Sequence, residues 1–415
     1  MVSKPLNLLM SLLLLSLSVS LVTFVFQLSQ QLGGQLRKNI APVDMVVGAK
    51  GSPLQLVLSA VLHLDAPTGN MKLKDVAILQ KQPFVQNAIP ISYGDNYKGY
   101  RILGAGPGYL ELYGAQLAEG ELHKKPFEVI AGRGVAERLD LKIGDHFISS
   151  HGLATSGSET HDEHPFILKG ILEPTGTVVD QLLITNLESI WEVHEHHDDE
   201  DEHEESEHEE GGHEEDEHKE GGHEEEGHEK EEDEEKEITS LLVNFKSPLG
   251  MIQLPRFINE NTAMQAALPG FEVQRLMGLL GSGVQTINGI ALAILLVSGL
   301  SIFISLLKTI RERRQELALL RVYGLRTRQL LGLALLEGTF LACIGFMLGW
   351  LGGRLGIWGV SQYTKATYGY ALQIHGPELF ELFLLGLILL LAVVATLLAS
   401  HSIFKLNVAK TLSDA

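Results

Sequence analysis

Hydrophobic positions along this chain follow two patterns that do not mix. Four stretches are almost uninterruptedly apolar, about Leu6–Leu28, Thr286–Leu307, Leu330–Leu351 and Leu379–Ala399. A helix rises about 1.5 Å per residue and a bilayer's hydrocarbon core is about 30 Å thick, so about 20 such residues cross it. Each stretch is therefore predicted to be a membrane-spanning helix. Between the first two, from Asp44 to about Ile190, apolar residues come instead in short, β-branched runs broken by Gly, Pro and Asn, the pattern of strands and turns. Strands are predicted at Asp44–Val47, Gln55–Leu62, Phe84–Tyr93, Tyr100–Leu103, Phe127–Ala131, His146–Ser149, Phe166–Leu172, Leu182–Thr185 and Thr239–Phe245. A short helix is predicted over Gly134–Leu139, and Leu249–Met277 reads as partly helical. The fold class that follows is a membrane protein: an α-helical bundle of four transmembrane helices, one plus three, with a large α+β domain between the first and second spans.

Few charges interrupt the apolar stretches. Glu337 and Glu381 lie near the start of the third and fourth. Each is expected at headgroup level, with pairing across helices as the alternative. A cleaved signal has a shorter apolar region, about 7–15 residues, and a small-x-small site. The first stretch is longer and runs into QLSQQLGGQL, so a retained anchor is expected. Orientation follows from short-loop basic residues. Lys308, Arg311, Arg313, Arg314, Arg321, Arg326 and Arg328 face only Glu312 and Glu316 in the loop between the second and third spans, which places that loop in the cytoplasm. Lys4, Lys405 and Lys410 agree, giving a multi-pass protein with both termini cytoplasmic.

Charge changes the picture in one place. The 415 residues carry a net charge of −20, but residues 192–237 hold 27 acidic residues against 3 lysines, a local −24, so the remainder carries +4. This tract is nearly all His, Glu, Asp, Gly and Lys, with nothing to bury, and is expected to be a disordered insert. Within it His203, His208, His213, His218, His223 and His228 recur every five residues, preceded by His194, His196 and His197. Five residues turn a helix by roughly 140°, so these imidazoles would not share a helical face. As a flexible polydentate ligand, neutral imidazoles with flanking carboxylates suit a borderline divalent ion, zinc first, and no thiolate cluster directs the site to Cu(I). The other reading is a solvated acidic linker. His161 and His164, in a Gly/Ser-rich loop with Asp162 and Glu163, are weaker candidates for the same ion. The single cysteine, Cys343, excludes an intramolecular disulfide and is read as a packing residue.

No catalysis is expected. The chain has no G-x-x-x-x-G-K-S/T phosphate loop, and GAKGS at residues 48–52 lacks its spacing. Any ATP is used by a partner subunit. His63 and Asp65 lie in a strand-to-turn segment where a structural role is expected.

The most specific signal is KTIRERRQELALLRVYGLRTRQLLGLALLEG, residues 308–338. Ile310, Leu317, Leu320 and Tyr323 fall near one helical face, ringed by arginines, and Gly324 supplies a C-terminal stop. The string resembles the RERRxEIGxLRAxG signature of the MacB/FtsX/LolC-LolE class of ABC permeases, through Arg311, Glu312, Arg313, Arg314, Glu316, Leu320, Arg321 and Gly324. FEVIAGRGVAERLDLKIGDHF with FILKGILEPTGT resembles that class's periplasmic core domain, and HSIFKLNVAKTLSDA its closing segment. The resemblance implies an inner-membrane permease working as a homodimer or pseudo-dimer. Those eight residues would couple it to a separate ABC ATPase, relaying ATP-driven motion to a periplasmic substrate or partner protein rather than forming a channel. No nucleic-acid partner is expected. Export of a lipoprotein, peptide or amphiphile with a metal- or pH-sensing loop, and an FtsX-like scaffold for a periplasmic enzyme, are the alternatives. The expected division is a first transmembrane helix at 1–30, the periplasmic core domain at 31–191, the His/Glu-rich insert at 192–237, the end of the periplasmic domain and a stalk at 238–283 and the permease domain at 284–415.

Overall fold

The computed structural model describes residues 5–150, 165–193, 236–312, 320, 322–368, 372–374 and 376–404. The chain divides into a helical unit (Met1–Gly33, Gly278–Thr367 and Ala371–Ala415) and an α/β unit (Gly34–Met277 and Tyr368–Tyr370). The first helix, α1, is Pro5–Ile40, and the division falls within it.

In the α/β unit, β1 (Met45–Ala49) sends alternate side chains to opposite faces of a sheet covered on both sides. Val46 joins a cluster with Leu56 and Val57 of α2 (Pro53–Ala60), whereas Met45 and Val47 join one with Val76 and Leu79 of α3 (Leu73–Gln80). The sheet contains β3 (Val85–Tyr97) and β4 (Tyr100–Ala105), then, past the short helix α4 (Tyr109–Leu112), β5 (Leu117–Gly120) and β6 (Glu128–Ala131). After α5 (Arg133–Leu139) come β7 (His146–Phe147), β8 (Phe166–Leu172) and β9 (Leu183–Thr185). Beyond residues 194–235 follow β10 (Glu237–Ile238), which pairs with β2 (Met71–Lys72), then β11 (Ser240–Phe245), α6 (Pro248–Asn261) and β12 (Met264–Ala267). The large sheet runs β12-β1-β11-β3-β4-β9-β6-β8-β5, with β7 on β8. It is antiparallel except at β4–β9 and β6–β8. Lys98 and Gly99 both take positive φ (49° and 85°), the two-residue hairpin turn that lets β3 run on to Tyr97.

One predicted strand is wrong. Gln55–Leu62 lies largely in α2, because Ser52 caps that helix by accepting from the Gln55 N–H (3.4 Å) and Pro53 presets its first turn. The buried set Leu56, Val57, Ala60 and Val61 then has helical rather than alternating spacing.

The helical unit contains α7 (Pro269–Glu312), α8 (Thr327–Tyr368) and α9 (Leu379–Phe404). With α1 these are, among the described residues, four helices long and apolar enough to cross a membrane. Leu15, Val19 and Val22 of α1, Leu295 of α7, Leu330 and Ala342 of α8, and Leu384, Ile388 and Ala392 of α9 share one core. Glycines let α1 and α8 approach closely. A Cβ on Gly349 would lie 2.5 Å from the Ser16 carbonyl oxygen, and one on Gly353 would lie 2.2 Å from Thr23 Oγ1. Helix α8 also continues well past the predicted end of its apolar run at Leu351, through Arg354 to Tyr368.

Candidate functional site

The connection between α7 and α8 contains the expected coupling residues. Arg311 and Glu312 close α7, whereas Arg313, Arg314, Glu316 and Arg321 lie outside the described residues. At the exit, Gly324 takes φ 97° and the Leu325 N–H reaches the Leu320 carbonyl (3.1 Å). This is the left-handed stop with a six-to-one hydrogen bond, and Leu320 and Leu325 both pack on the bundle core as its apolar clasp requires. Next, the Gln329 side chain accepts from the Arg326 N–H (2.8 Å), capping the start of α8. Of the four residues expected on one apolar face, Leu317 and the side chain of Ile310 lie outside the described residues, and Leu320 and Tyr323 are described. Leu320 turns onto the bundle, while Val322 and Tyr323 are 62% and 82% exposed beside the stop.

The histidines proposed as metal ligands, His194, His196, His197, His203, His208, His213, His218, His223 and His228 with His161 and His164, lie outside the described residues. The two ends of the tract are described. Trp191 donates from Nε1 to the Glu237 carbonyl (2.7 Å), and Lys236 Nζ sits 5.3 Å from its ring centroid. Residues 191 and 237 are thus fastened to each other.

His63 has a structural role. Its Nδ1 meets the Tyr93 hydroxyl (2.6 Å) and its Nε2 the Tyr109 hydroxyl (3.1 Å), so neither nitrogen is open to a metal. Burial, with the Arg101 guanidinium adding to it, pushes the imidazole down to about 3. Arg101 lies over the Tyr93 ring (4.9 Å to the centroid) and donates to the Asp65 carbonyl (2.7 Å).

A second polar centre escaped the sequence reading. In the helical unit, Arg354 of α8 and Glu381 of α9 form a two-pronged ion pair, Nη1–Oε1 2.7 Å and Nη2–Oε2 2.8 Å. Trp350 donates from Nε1 to Glu381 (2.9 Å) and its ring lies 4.6 Å beneath the guanidinium. Arg354 also donates to the Gly376 carbonyl (2.9 Å), and the Glu378 N–H donates to Glu381 (3.2 Å). Glu381 is 1% exposed, so the headgroup placement expected for it is corrected in favour of pairing across helices. The available signal was a basic residue four positions after a tryptophan, just beyond an apolar run, with an acid opening the next.

Two family models match the chain: MacB-like periplasmic core domain over residues 8–203 and FtsX-like permease C-terminal over residues 288–408. Among solved structures, the periplasmic region of MacB from Actinobacillus actinomycetemcomitans is similar at 12% identity, covering 58% of this chain and 97% of that one (TM-score 0.35). The extracellular domain of the noncanonic ABC-type transporter YknZ from Gram-positive bacteria is similar at 11% identity, covering 54% and 98% (TM-score 0.31). No curated protein matches.

Proposed function

Because the chain belongs to the MacB/FtsX class of ABC-transporter permeases, we propose that it transmits motion from a separate cytoplasmic ATPase to a periplasmic substrate. It crosses the inner membrane four times, with both termini and the α7–α8 connection in the cytoplasm. Seven basic residues in that connection and in the adjoining ends of α7 and α8 support the orientation.

The observation that carries the coupling role is the exit of that connection. Val322 and Tyr323 stand exposed beside a rigid glycine stop, next to arginines matching the family signature. Apolar side chains held out by a fixed turn suit a groove on a partner protein. Transmission is supported by where two helices end. Leu36 and Ile40 of α1, and Val273 and Met277 of α7, belong to the core packing of the α/β unit, so each helix terminates inside that domain's interior. A homodimer or pseudo-dimer through α7 is supported by Gly278, Ser282 and Thr286, small residues four apart on an uncovered stretch. The six histidines at five-residue spacing support a link to zinc.

The test is retention of an ATPase. Coexpressed with the ABC ATPases of its own genome, the chain is expected to hold one of them through detergent extraction and to lose it on Tyr323→Asp or Arg321→Glu. Undiminished recovery with both variants sinks the coupling role.

A further inference from the structure

The Arg354–Glu381 pair is almost fully enclosed, with the two side chains 7% and 1% exposed. Removing two charges from water costs several kcal/mol per ion, and well-packed apolar residues often do as well for stability alone. An ion pair kept between two apolar helices is therefore better explained by what it positions. It positions the connection between α8 and α9. The carbonyl of Gly376 accepts from Arg354, that of Leu372 accepts from Ser361 (3.0 Å), and the N–H of Glu378 is held by Glu381.

The connection in turn grips α1. The Gln31 side-chain amide pairs with both backbone groups of Gln373, accepting from its N–H (2.8 Å) and donating to its carbonyl (2.9 Å), as a neighbouring strand would. Gln30 reaches Glu378 (3.4 Å), and the Phe26 and Phe380 rings stack at 4.2 Å. Further along α1 towards its start, glycine faces of α8 supply close approach. Gln30 and Gln31 thus supply directional bonds between α1 and the α8–α9 hairpin.

We propose that Arg354 and Glu381 are positioning residues: they lock residues 372–374 and 376–378 into the shape that clasps α1 through Gln31, so that movement of the α8–α9 hairpin is delivered to α1. This rests on the reading of the chain as a motion-transmitting permease. Neither residue touches substrate or nucleotide, and each acts through the Gln31–Gln373 pairing.

The test uses the full chain with its ATPase in lipid nanodiscs, following backbone hydrogen exchange with and without ATP. In the unaltered protein, ATP is expected to change exchange in both α9 and residues 26–40 of α1. Glu381→Gln leaves Arg354 uncompensated, and Gln31→Leu removes the clasp while sparing the ion pair, so the second variant serves if the first folds poorly. Both are expected to keep ATPase recovery and basal hydrolysis within about two-fold of the original. The ATP-dependent change in α1 is expected to fall at least five-fold while that in α9 persists. A full α1 response in Gln31→Leu, or parallel loss in α1 and α9, overturns the clasp. If the unaltered chain retains no ATPase, or shows no ATP-dependent change anywhere, the underlying reading fails and the clasp falls with it.

Discussion

The Nδ1 atom of His63 donates its hydrogen to the Tyr93 hydroxyl. Tyr93 has already given its own proton to the Ser59 carbonyl, so its oxygen can only accept from the imidazole. Nε2 then accepts from Tyr109, and the neutral ring is fixed in one tautomer within a one-way chain from Tyr109 to Ser59.

A pH dependence of stability follows. The folded-state value of about 3 lies below the ordinary 6.5, so between those limits the unfolded chain binds a proton that the folded chain refuses. The contribution of His63 is whole above pH 6.5 and declines as pH falls toward 3, by about 1.4 kcal/mol per unit. Unfolding of the detergent-solubilised chain at pH 7, 6 and 5, compared with His63→Phe, is expected to show a steep acid limb in the original and a shallower one in the variant. Equal slopes would remove His63 as the cause.

Glycine spacing on α8 predicts an asymmetric response to alanine. At Gly353 a methyl group would meet Thr23 Oγ1 and the Ser20 carbonyl (3.2 Å), whereas at Gly359 nothing lies within 4 Å. Gly353→Ala is expected to destabilise the helical unit by about 1–3 kcal/mol, and Gly359→Ala to leave the melting temperature unchanged or slightly raised. Similar melting temperatures for the two variants would contradict the packing of α1 on α8.

Gly324 separates the shape of the coupling turn from its charge. A β-branched residue at φ 97° is strained, by about 1–2 kcal/mol. Gly324→Val is therefore expected to cost the ATPase complex about five- to thirty-fold in affinity, with little loss of fold, since nothing packs against that position. Unchanged affinity by surface plasmon resonance would show that the turn does not present Tyr323 to the partner.

Zinc binding by the tract is expected to need neutral imidazoles. Calorimetry of the full chain should find several moderate sites at pH 7.5, weakening below about pH 6, and most of them gone when residues 192–237 are deleted. Equal uptake with and without the tract refutes the metal reading.

Legibility of the sequence tracked whether a signal was local. Apolar length alone located the four helices, and β-branched runs located most of the sheet, because burial on a strand or across a bilayer leaves a one-dimensional pattern. Gln55–Leu62 failed because a run of Leu and Val suits either period, and the deciding features, Ser52 and Pro53, stand just before it. The Gly324 stop was visible, since positive φ favours glycine. The partner of Glu381 was not, because Arg354 lies 27 residues earlier and only the return of the α8–α9 hairpin brings them together. His63 showed a structural setting but not its tyrosines, which come from β3 and the α4 helix.

The stitch between Trp191 and Glu237 governs how this protein tolerates change in length. An insertion whose two feet stand side by side closes a loop at an entropic cost that rises only logarithmically, about 0.6 kcal/mol for each doubling. Shortening or lengthening the acidic segment is therefore expected to leave the register of the sheet untouched, while the host domain keeps its shape.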